Sequence, residues 1–301
     1  MIKPGSRSVS PSVVEILTRT EAWLRRRGIT APRREAELLL CHVLSVARLQ
    51  LYLLHDRPMT AHELEMLRPL VARRGEREPL SWILGSRGFH AIELEIEPGV
   101  LDPRPDTEAL VDAALAQIPA DAQTPVYVAD IGSGSGAVGL AIAAARPAVH
   151  LYAVDIDPVA LKVTRHNTER LGLSDRVAVL SGDLLSAVPD ARPIDWVVSN
   201  PPYIPSAEID GLMPEVSRHE PRRALDGGPD GLRIIRRLVP QAAARARAGI
   251  LLEVGHDQAA RVADILRRAG LTGTETFADL GGVQRVVLGR SGPGMGVPGA
   301  C

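Results

Sequence analysis

The stretch Val126-Tyr127-Val128-Ala129-Asp130-Ile131-Gly132-Ser133-Gly134-Ser135-Gly136 decides the fold. A short, largely apolar run ends in a glycine loop, and the small-residue segment 137–145 follows. That order, strand then glycine turn then helix, opens a nucleotide-binding α/β unit: glycines let the backbone turn sharply and approach a ligand, and the free N–H groups of the helix start favour an anionic group. Gly134, Gly136 and Gly139 satisfy G-x-G-x-x-G literally, so the loop alone does not separate a dinucleotide enzyme from a methyltransferase. Downstream, apolar runs at 150–154, 177–180, 196–199 and 250–254 alternate with helical segments near 136–145, 158–171 and 231–247. This predicts a mainly parallel, doubly wound sheet. Runs at 272–277 and 284–288, separated only by a glycine-rich turn, predict a terminal hairpin and hence a mixed sheet.

Upstream of the loop the period changes. Residues 12–74 read as consecutive amphipathic helices. Capping boxes open two of them at Ser12-Val13-Val14-Glu15 and Thr60-Ala61-His62-Glu63, Gly28 ends the first, and Pro32 starts the second. Residues 89–97 have period two, with Ile92, Leu94 and Ile96 on one face and Glu93, Glu95 and Glu97 on the other. That pattern predicts a half-buried, hairpin-like strand between two domains.

Composition narrows the class. The 301 residues are 45% hydrophobic and 24% charged, the usage of an ordinary globular chain. A net charge of −1, distributed as +3 over residues 1–100 and −4 over the rest, gives no basic field for nucleic acid. Two cysteines, Cys41 and Cys301, build neither a disulfide framework nor a four-ligand zinc site, and the histidines show no ligand spacing, so no metal is expected. No apolar run approaches the roughly 18 residues of a membrane span, and no signal peptide is apparent at the N-terminus. A cytoplasmic protein, monomeric by default, is expected.

Three features carry chemistry. Asp155 ends the second strand about 20 residues after the glycine loop, where a carboxylate accepts ribose hydroxyls. Asp157-Pro158 reads instead as a helix cap. Asp183 ends the third strand and suits either the exocyclic amine of adenine or plain solvation. Asn200-Pro201-Pro202-Tyr203 ends the fourth strand, at the carboxyl edge where open α/β sheets bind ligands. The prolines stiffen this loop and remove N–H donors. The Asn200 side-chain oxygen and the Pro201 carbonyl can both accept from one planar –NH₂, leaving its third direction free for attack, while Tyr203 stacks on a flat amide or base. An amide nitrogen needs no strong base before attack, so catalysis would be positioning and electrostatic support. The donor this implies is S-adenosylmethionine.

The Asn-Pro-Pro-Tyr string with the glycine loop resembles class I methyltransferases acting on planar amino groups. Pro79-Leu80-Ser81-Trp82-Ile83-Leu84-Gly85, Gly99 to Glu108 (including Arg104-Pro105-Asp106-Thr107-Glu108), Glu220-Pro221-Arg222-Arg223-Ala224-Leu225, Gly228-Pro229-Asp230-Gly231-Leu232 and Glu253-Val254-Gly255 narrow the resemblance to the release factor glutamine methyltransferases, the HemK/PrmC family. It spans roughly residues 12–290.

The resemblance implies an α/β fold of class I, S-adenosylmethionine-dependent and Rossmann-like, with a seven-stranded mixed sheet and an N-terminal helical bundle. Its expected partition is tails at 1–11 and 291–301, a helical substrate-recognition domain at 12–78, a hairpin linker at 79–104 and a catalytic domain at 105–290. The implied activity is methylation of the N5 amide nitrogen of the glutamine in the Gly-Gly-Gln motif of class 1 peptide chain release factors, with no direct nucleic-acid partner. Gly132, Ser133, Gly134, Ser135, Gly136, Asp155, Asp183, Leu184 and Asn200 would bind the cofactor. Asn200, Pro201, Pro202 and Tyr203 would hold the substrate, with Asn200 and Tyr203 catalytic.

Trp82 stands where Tyr is usual, Asp102 where an aliphatic residue usually precedes Pro-Arg-Pro, and His90-Ala91 where a Gly commonly follows. Arg104 and Glu108 also suit an interdomain salt bridge and a helix-start charge. Arg25 to Arg27, Arg33, Arg34, Arg73 and Arg74 suit either an acidic partner or a solvated helix face. The competing activities are a ribosomal-protein glutamine or adenine-N6 methyltransferase and a nicotinamide-dependent oxidoreductase. The last leaves Asn200 to Tyr203 without a role.

Overall fold

The computed structural model describes residues 10–292; most of the two expected tails lies outside the described residues. The chain divides into two compact units between Gly85 and Ser86. The first holds five helices, α1 (Val13–Arg26), α2 (Pro32–Leu44), α3 (Arg48–Leu53), α4 (Ala61–Gly75) and α5 (Leu80–Leu84). Both capping boxes form. The Ser12 and Thr60 hydroxyls accept the Glu15 and Glu63 amides, and those carboxylates accept the Ser12 and Thr60 amides at 2.8 Å each. Leu24, Leu39, Leu40 and Met59 are fully buried at the centre of the bundle. Thr60→Ala removes half of the second box and is expected to lower stability by about 1 kcal/mol, read as a shift in the denaturation midpoint.

The arginines of this unit are largely spent inside it. Arg25, Arg27, Arg33, Arg73 and Arg74 pair with Glu21, Glu76, Glu37, Glu78 and Glu35 respectively. Glu37 is buried, which by itself raises its pKa, but hydrogen bonds from Tyr52, Arg48 and Arg33 outweigh burial and hold it below the usual carboxylate range. Internal pairing, which neither expectation named, therefore accounts for five of the seven arginines singled out in the sequence.

The second unit begins with a hairpin, β1 (Ser86–Phe89) and β2 (Ile92–Glu95). The expected face is present: Leu94 and Ile96 are buried and Ile92 partly so. The strand expected at 89–97 is instead broken at His90-Ala91. His90 takes a left-handed φ of 51°, which Glu108 supports by accepting the His90 amide at 3.1 Å. Residues 79–104 thus divide between the units, α5 in the first and the hairpin in the second.

The remaining elements are α6 (Glu108–Gln117), β3 (Val126–Ile131), α7 (Ala137–Ala145), β4 (Val149–Asp155), α8 (Pro158–Arg170), β5 (Val177–Ser181), β6 (Ile194–Ser199), α9 (Pro214–His219), α10 (Arg233–Arg245), β7 (Ala246–Glu253), α11 (Ala259–Arg268), β8 (Thr272–Ala278) and β9 (Gln284–Arg290). The sheet order is β5-β4-β3-β6-β7-β9-β8, with β9 antiparallel to both neighbours and the other pairs parallel. This is the seven-stranded mixed sheet of a class I methyltransferase fold.

Because side chains alternate along a strand, Ala129, Ile131, Val197, Ile250 and Leu252 pack with α10 and α11, while the equally buried Val128, Leu151, Val198 and Leu251 lie on the opposite face. There α6, α7 and α8 meet the sheet. The chain runs outward from β3 through β5 and returns to β6, so the topological switch falls between β3 and β6. The carboxyl ends of these adjacent strands carry the glycine loop and Asn200. Among the described residues no helix is long and apolar enough to cross a membrane.

Candidate functional site

The glycine loop leaves β3 under tight backbone control. Gly132 and Ser133 donate to the Val154 carbonyl at 2.8 and 3.0 Å, and Gly136 to that of Ser133 at 2.7 Å. Gly132, Gly134 and Gly136 all have φ between 58° and 84°. A Cβ at Gly132 or Gly134 would face open space, whereas one at Gly136 would lie 2.6 Å from Leu140. The first two therefore expose backbone to a cleft, and Gly136 makes the turn into α7. Beneath them, Asp130 accepts the Gly139 amide at 2.9 Å; its burial pushes its carboxyl up to about 7, helped by the nearby Asp155.

Asp155 accepts the Gly134 and Asp157 amides at 2.9 Å, one on each oxygen. Burial raises its pKa against those bonds. Two N–H donors leave a carboxylate with further lone pairs for ribose hydroxyls. The cleft beside it has a cavity volume of about 180 Å³ and is lined by Gly132, Gly134, Asp155, Ile156, Asp183, Leu184 and Asn200, among others. That mixture of apolar wall with few polar groups suits a nucleoside-bearing ligand.

Asp157 caps α8 through the Val159 amide and pairs with Arg223 across the cleft rim. Asp183 is half-exposed and pairs with Arg237, so its carboxylate is engaged by a cation as well as facing the cleft. Leu184 is buried with φ 55°, a left-handed conformation that a leucine holds only under constraint. Ser133 and Ser135 line a separate, smaller recess that Gly132, Thr107 and Asn200 share.

Asn200 follows β6, whose end is tied to β3 by the Ser199 hydroxyl donating to the Ile131 carbonyl at 2.6 Å. Its Nδ2 donates to the Thr107 hydroxyl oxygen at 3.1 Å, turning Oδ1 away from Thr107. Among the described residues the Pro201 carbonyl accepts no hydrogen bond from the protein. Tyr203 is held at both ends: its hydroxyl donates to Glu253 Oε1 at 3.2 Å, and its carbonyl accepts from Gln258 Nε2 at 2.8 Å. Burial pushes the Tyr203 phenol far above its ordinary range, so it is a neutral donor.

A second cleft, of about 140 Å³, lies on the other side of the string, lined by Arg104, Asn200, Pro201, Tyr203, Leu212 and Val216 with neighbours. Asn200 and Pro201 line both clefts. The structure thus brings the loop glycines, Asp155, Asp183, Leu184 and the Asn200 to Tyr203 string to adjacent walls.

Thr107, Glu253 and Gln258 support the string although no role attaches to them in the sequence reading. Thr107 and Glu253 lie within the motif segments quoted above, which is the only local signal they give. Glu108 stands in the first turn of α6 as the expected helix-start charge, whereas Arg104 pairs within its own unit. Arg104 donates to both oxygens of Glu220 at 2.6 Å, within the same unit. Burial lifts Glu220 to about 7 against that pairing. Asp102 is buried and pairs with Arg104 and with Arg87 on β1, which offsets the charge placed at an ordinarily aliphatic position. Among the described residues no cluster of His, Cys, Asp and Glu side chains is arranged to hold a metal.

Residues 15–85 match the PrmC N-terminal domain and residues 108–225 the methyltransferase small domain. The release factor glutamine methyltransferase of Rhodospirillum rubrum is 44% identical over 95% of this chain and 88% of its own length, and that of Geobacter sulfurreducens 40% identical over 93% and 97%. The crystal structure of the hMettl16 catalytic domain in complex with the MAT2A 3′UTR hairpin 6 is 18% identical, covers 68% of this chain and 78% of its own, and superposes with a TM-score of 0.53, a likeness of fold alone. With a sheet of class I order, an Asn-Pro-Pro-Tyr string between two clefts and near-full-length relatives at these identities, the chain belongs to the release factor glutamine methyltransferase family.

Proposed function

We propose that this protein transfers a methyl group from S-adenosylmethionine to the side-chain amide nitrogen of the glutamine in the Gly-Gly-Gln motif of class 1 peptide chain release factors. The observation that carries the reading is that Asn200 and Pro201 stand in the wall common to the cleft beside Asp155 and a smaller one. A donor in the first and an amide in the second would meet at two acceptors suited to orient an –NH₂, the Asn200 Oδ1 and the Pro201 carbonyl. The residues fit the cofactor: Gly132 and Gly134 leave room for a close approach, Asp155 keeps lone pairs for the ribose, and Ile156 and Leu184 offer apolar surface to a base.

When bound, the cofactor supplies a methyl group on a sulfonium that leaves as a neutral thioether. The Asn200 Oδ1 and the Pro201 carbonyl would accept the two amide N–H bonds, holding the nitrogen's out-of-plane face toward the cofactor cleft and stabilising the positive charge that develops on it. The N–H proton made acidic by methylation is then lost to water, leaving a neutral methylated amide. Tyr203, fixed by Glu253 and Gln258, supports the flat amide. We assign recognition of the release factor to the helical unit. Its α3 presents Leu49 and Leu53 to solvent, apolar surface of the kind that meets a protein. The reading places the enzyme in the cytoplasm, where release factors act.

Mass spectrometry of a release factor incubated with the enzyme and the donor tests it. One added methyl on the Gly-Gly-Gln glutamine is expected; an unmodified motif with methylation elsewhere, or none, overturns it.

A further inference from the structure

We propose that Glu253, at the end of β7, is a positioning residue that, acting through Thr107, fixes which way round the Asn200 amide sits. This inference rests on the methyl-transfer reading above. The two ends of an asparagine amide are nearly the same size, so packing does not choose between them, yet they differ in function. With Oδ1 toward the second cleft, Asn200 accepts from a substrate –NH₂; turned over, it would present its own –NH₂ donor to donor. The choice falls to whatever holds the inner end.

That end is Thr107, which is buried and takes the Asn200 Nδ2 on its hydroxyl oxygen at 3.1 Å. A hydroxyl carries one proton, so the direction of this contact depends on where that proton goes. An ionised Glu253 is an acceptor only. It takes the Tyr203 hydroxyl on Oε1 at 3.2 Å, and the Thr107 hydroxyl lies near enough to favour its anion. Oε2 is buried and has no hydrogen-bond partner, and the Thr107 hydroxyl is the group whose proton can satisfy it. With its proton drawn toward Glu253, the Thr107 oxygen is left to accept, and Nδ2 is the only donor Asn200 has. The same carboxylate thereby orients both Tyr203 and Asn200.

A buried carboxylate is costly to keep, and this one lies directly under the string. The charged groups around it are Arg285 from β9, which favours its anion, and Asp106 beside Thr107, which opposes it; Arg104 reaches it only across Tyr203. Burial outweighs the hydroxyls and Arg285 and lifts the carboxyl to about 7. Protonated, Glu253 becomes a donor toward Thr107 and the bias on Asn200 is lost. Activity from this source therefore falls as pH drops through about 7.

The test measures kcat and KM on a release factor together with the cofactor Kd, for wild type, Glu253→Gln, Thr107→Val and Thr107→Ser. Glu253→Gln and Thr107→Val are expected to lower kcat on the order of 10- to 100-fold, the effect of a misoriented group. The cofactor Kd should move less than about twofold, and Thr107→Ser, which keeps the hydroxyl, should restore most of the rate. The acid limb near pH 7 should vanish in Glu253→Gln. Because the folded pKa lies above the 4.5 of a free glutamate, ionising Glu253 costs stability as pH rises from about 4.5 to about 7, so Glu253→Gln should melt no lower than wild type at pH 8. Wild-type kcat in Glu253→Gln, equal loss in both Thr107 variants, or a weakened cofactor Kd at unchanged kcat would each overturn the inference. Failure of the wild-type enzyme to methylate glutamine sinks the parent reading, and this inference with it.

Discussion

Asn200→Ala is expected to lower kcat for glutamine methylation by about 10² to 10³, the range found when one preorganised hydrogen-bonding group is removed from a reacting centre. In the proposed arrangement the side chain supplies one of two acceptors, and the other, the Pro201 carbonyl, is backbone and survives the change. A single acceptor leaves the –NH₂ free to swing about that bond, so the loss falls on orientation. Cofactor affinity should change little, because Asp155, the carboxylate proposed for the ribose, is held by the Gly134 and Asp157 amides and has no bond to Asn200. Nor should the fold suffer, since the only side-chain bond lost inside the protein is the one to Thr107. Isothermal titration with S-adenosylmethionine and single-turnover methylation separate the two effects. Turnover within about threefold of wild type would remove Asn200 from the mechanism, and loss of cofactor binding without a kcat effect would reassign it to the first cleft.

The parts of this architecture that were legible in the sequence are those whose cause is local. Ser12 and Thr60 cap because the glutamate three residues on reaches back, and Asp157 caps because Pro158 follows it. The glycine loop and Asn-Pro-Pro-Tyr announce themselves because backbone conformation and missing N–H groups are properties of the residues themselves. The hairpin shows where local reading stops. Alternation of Ile92, Leu94 and Ile96 marks the buried face correctly, yet nothing in His90 foretells a left-handed turn, which depends on Glu108 taking its amide. Arg104 and Asp102 likewise found their partners in Glu220 and Arg87, far along the chain or in another strand. Thr107 and Glu253 are 93 and 53 positions from Asn200, and only the doubly wound order that sets β7 beside β6 brings Glu253 under the string. Long-range partners are written in topology, which motif reading does not contain.

Gly231→Ala is the second change with a large expected effect, although Gly231 touches neither cleft. It has φ 74°, and a Cβ there would stand 2.2 Å from the Tyr203 carbonyl oxygen and 2.4 Å from Gln258 Nε2. Both atoms belong to the clasp that holds the string: Gln258 donates to that carbonyl while its Oε1 accepts the Gly255 amide at 2.9 Å. Gln258 is buried and bonded at both ends, so the clash is relieved by moving the Tyr203 peptide, which drags a stiff Pro201-Pro202 segment with it. A left-handed alanine costs about 1 kcal/mol, and overpacking adds about 1–3 kcal/mol. An ångström-scale shift of the acceptors costs on the order of 10²-fold in rate. Gly172→Ala isolates the first of these terms, since Gly172 has φ 68° and nothing within 4 Å of its Cβ. Melting should therefore fall modestly in Gly172→Ala with kcat intact, and further in Gly231→Ala with kcat lost and cofactor Kd preserved. If the two variants melt alike and both methylate at the wild-type rate, the close approach of residues 228–232 has no part in holding the amide site.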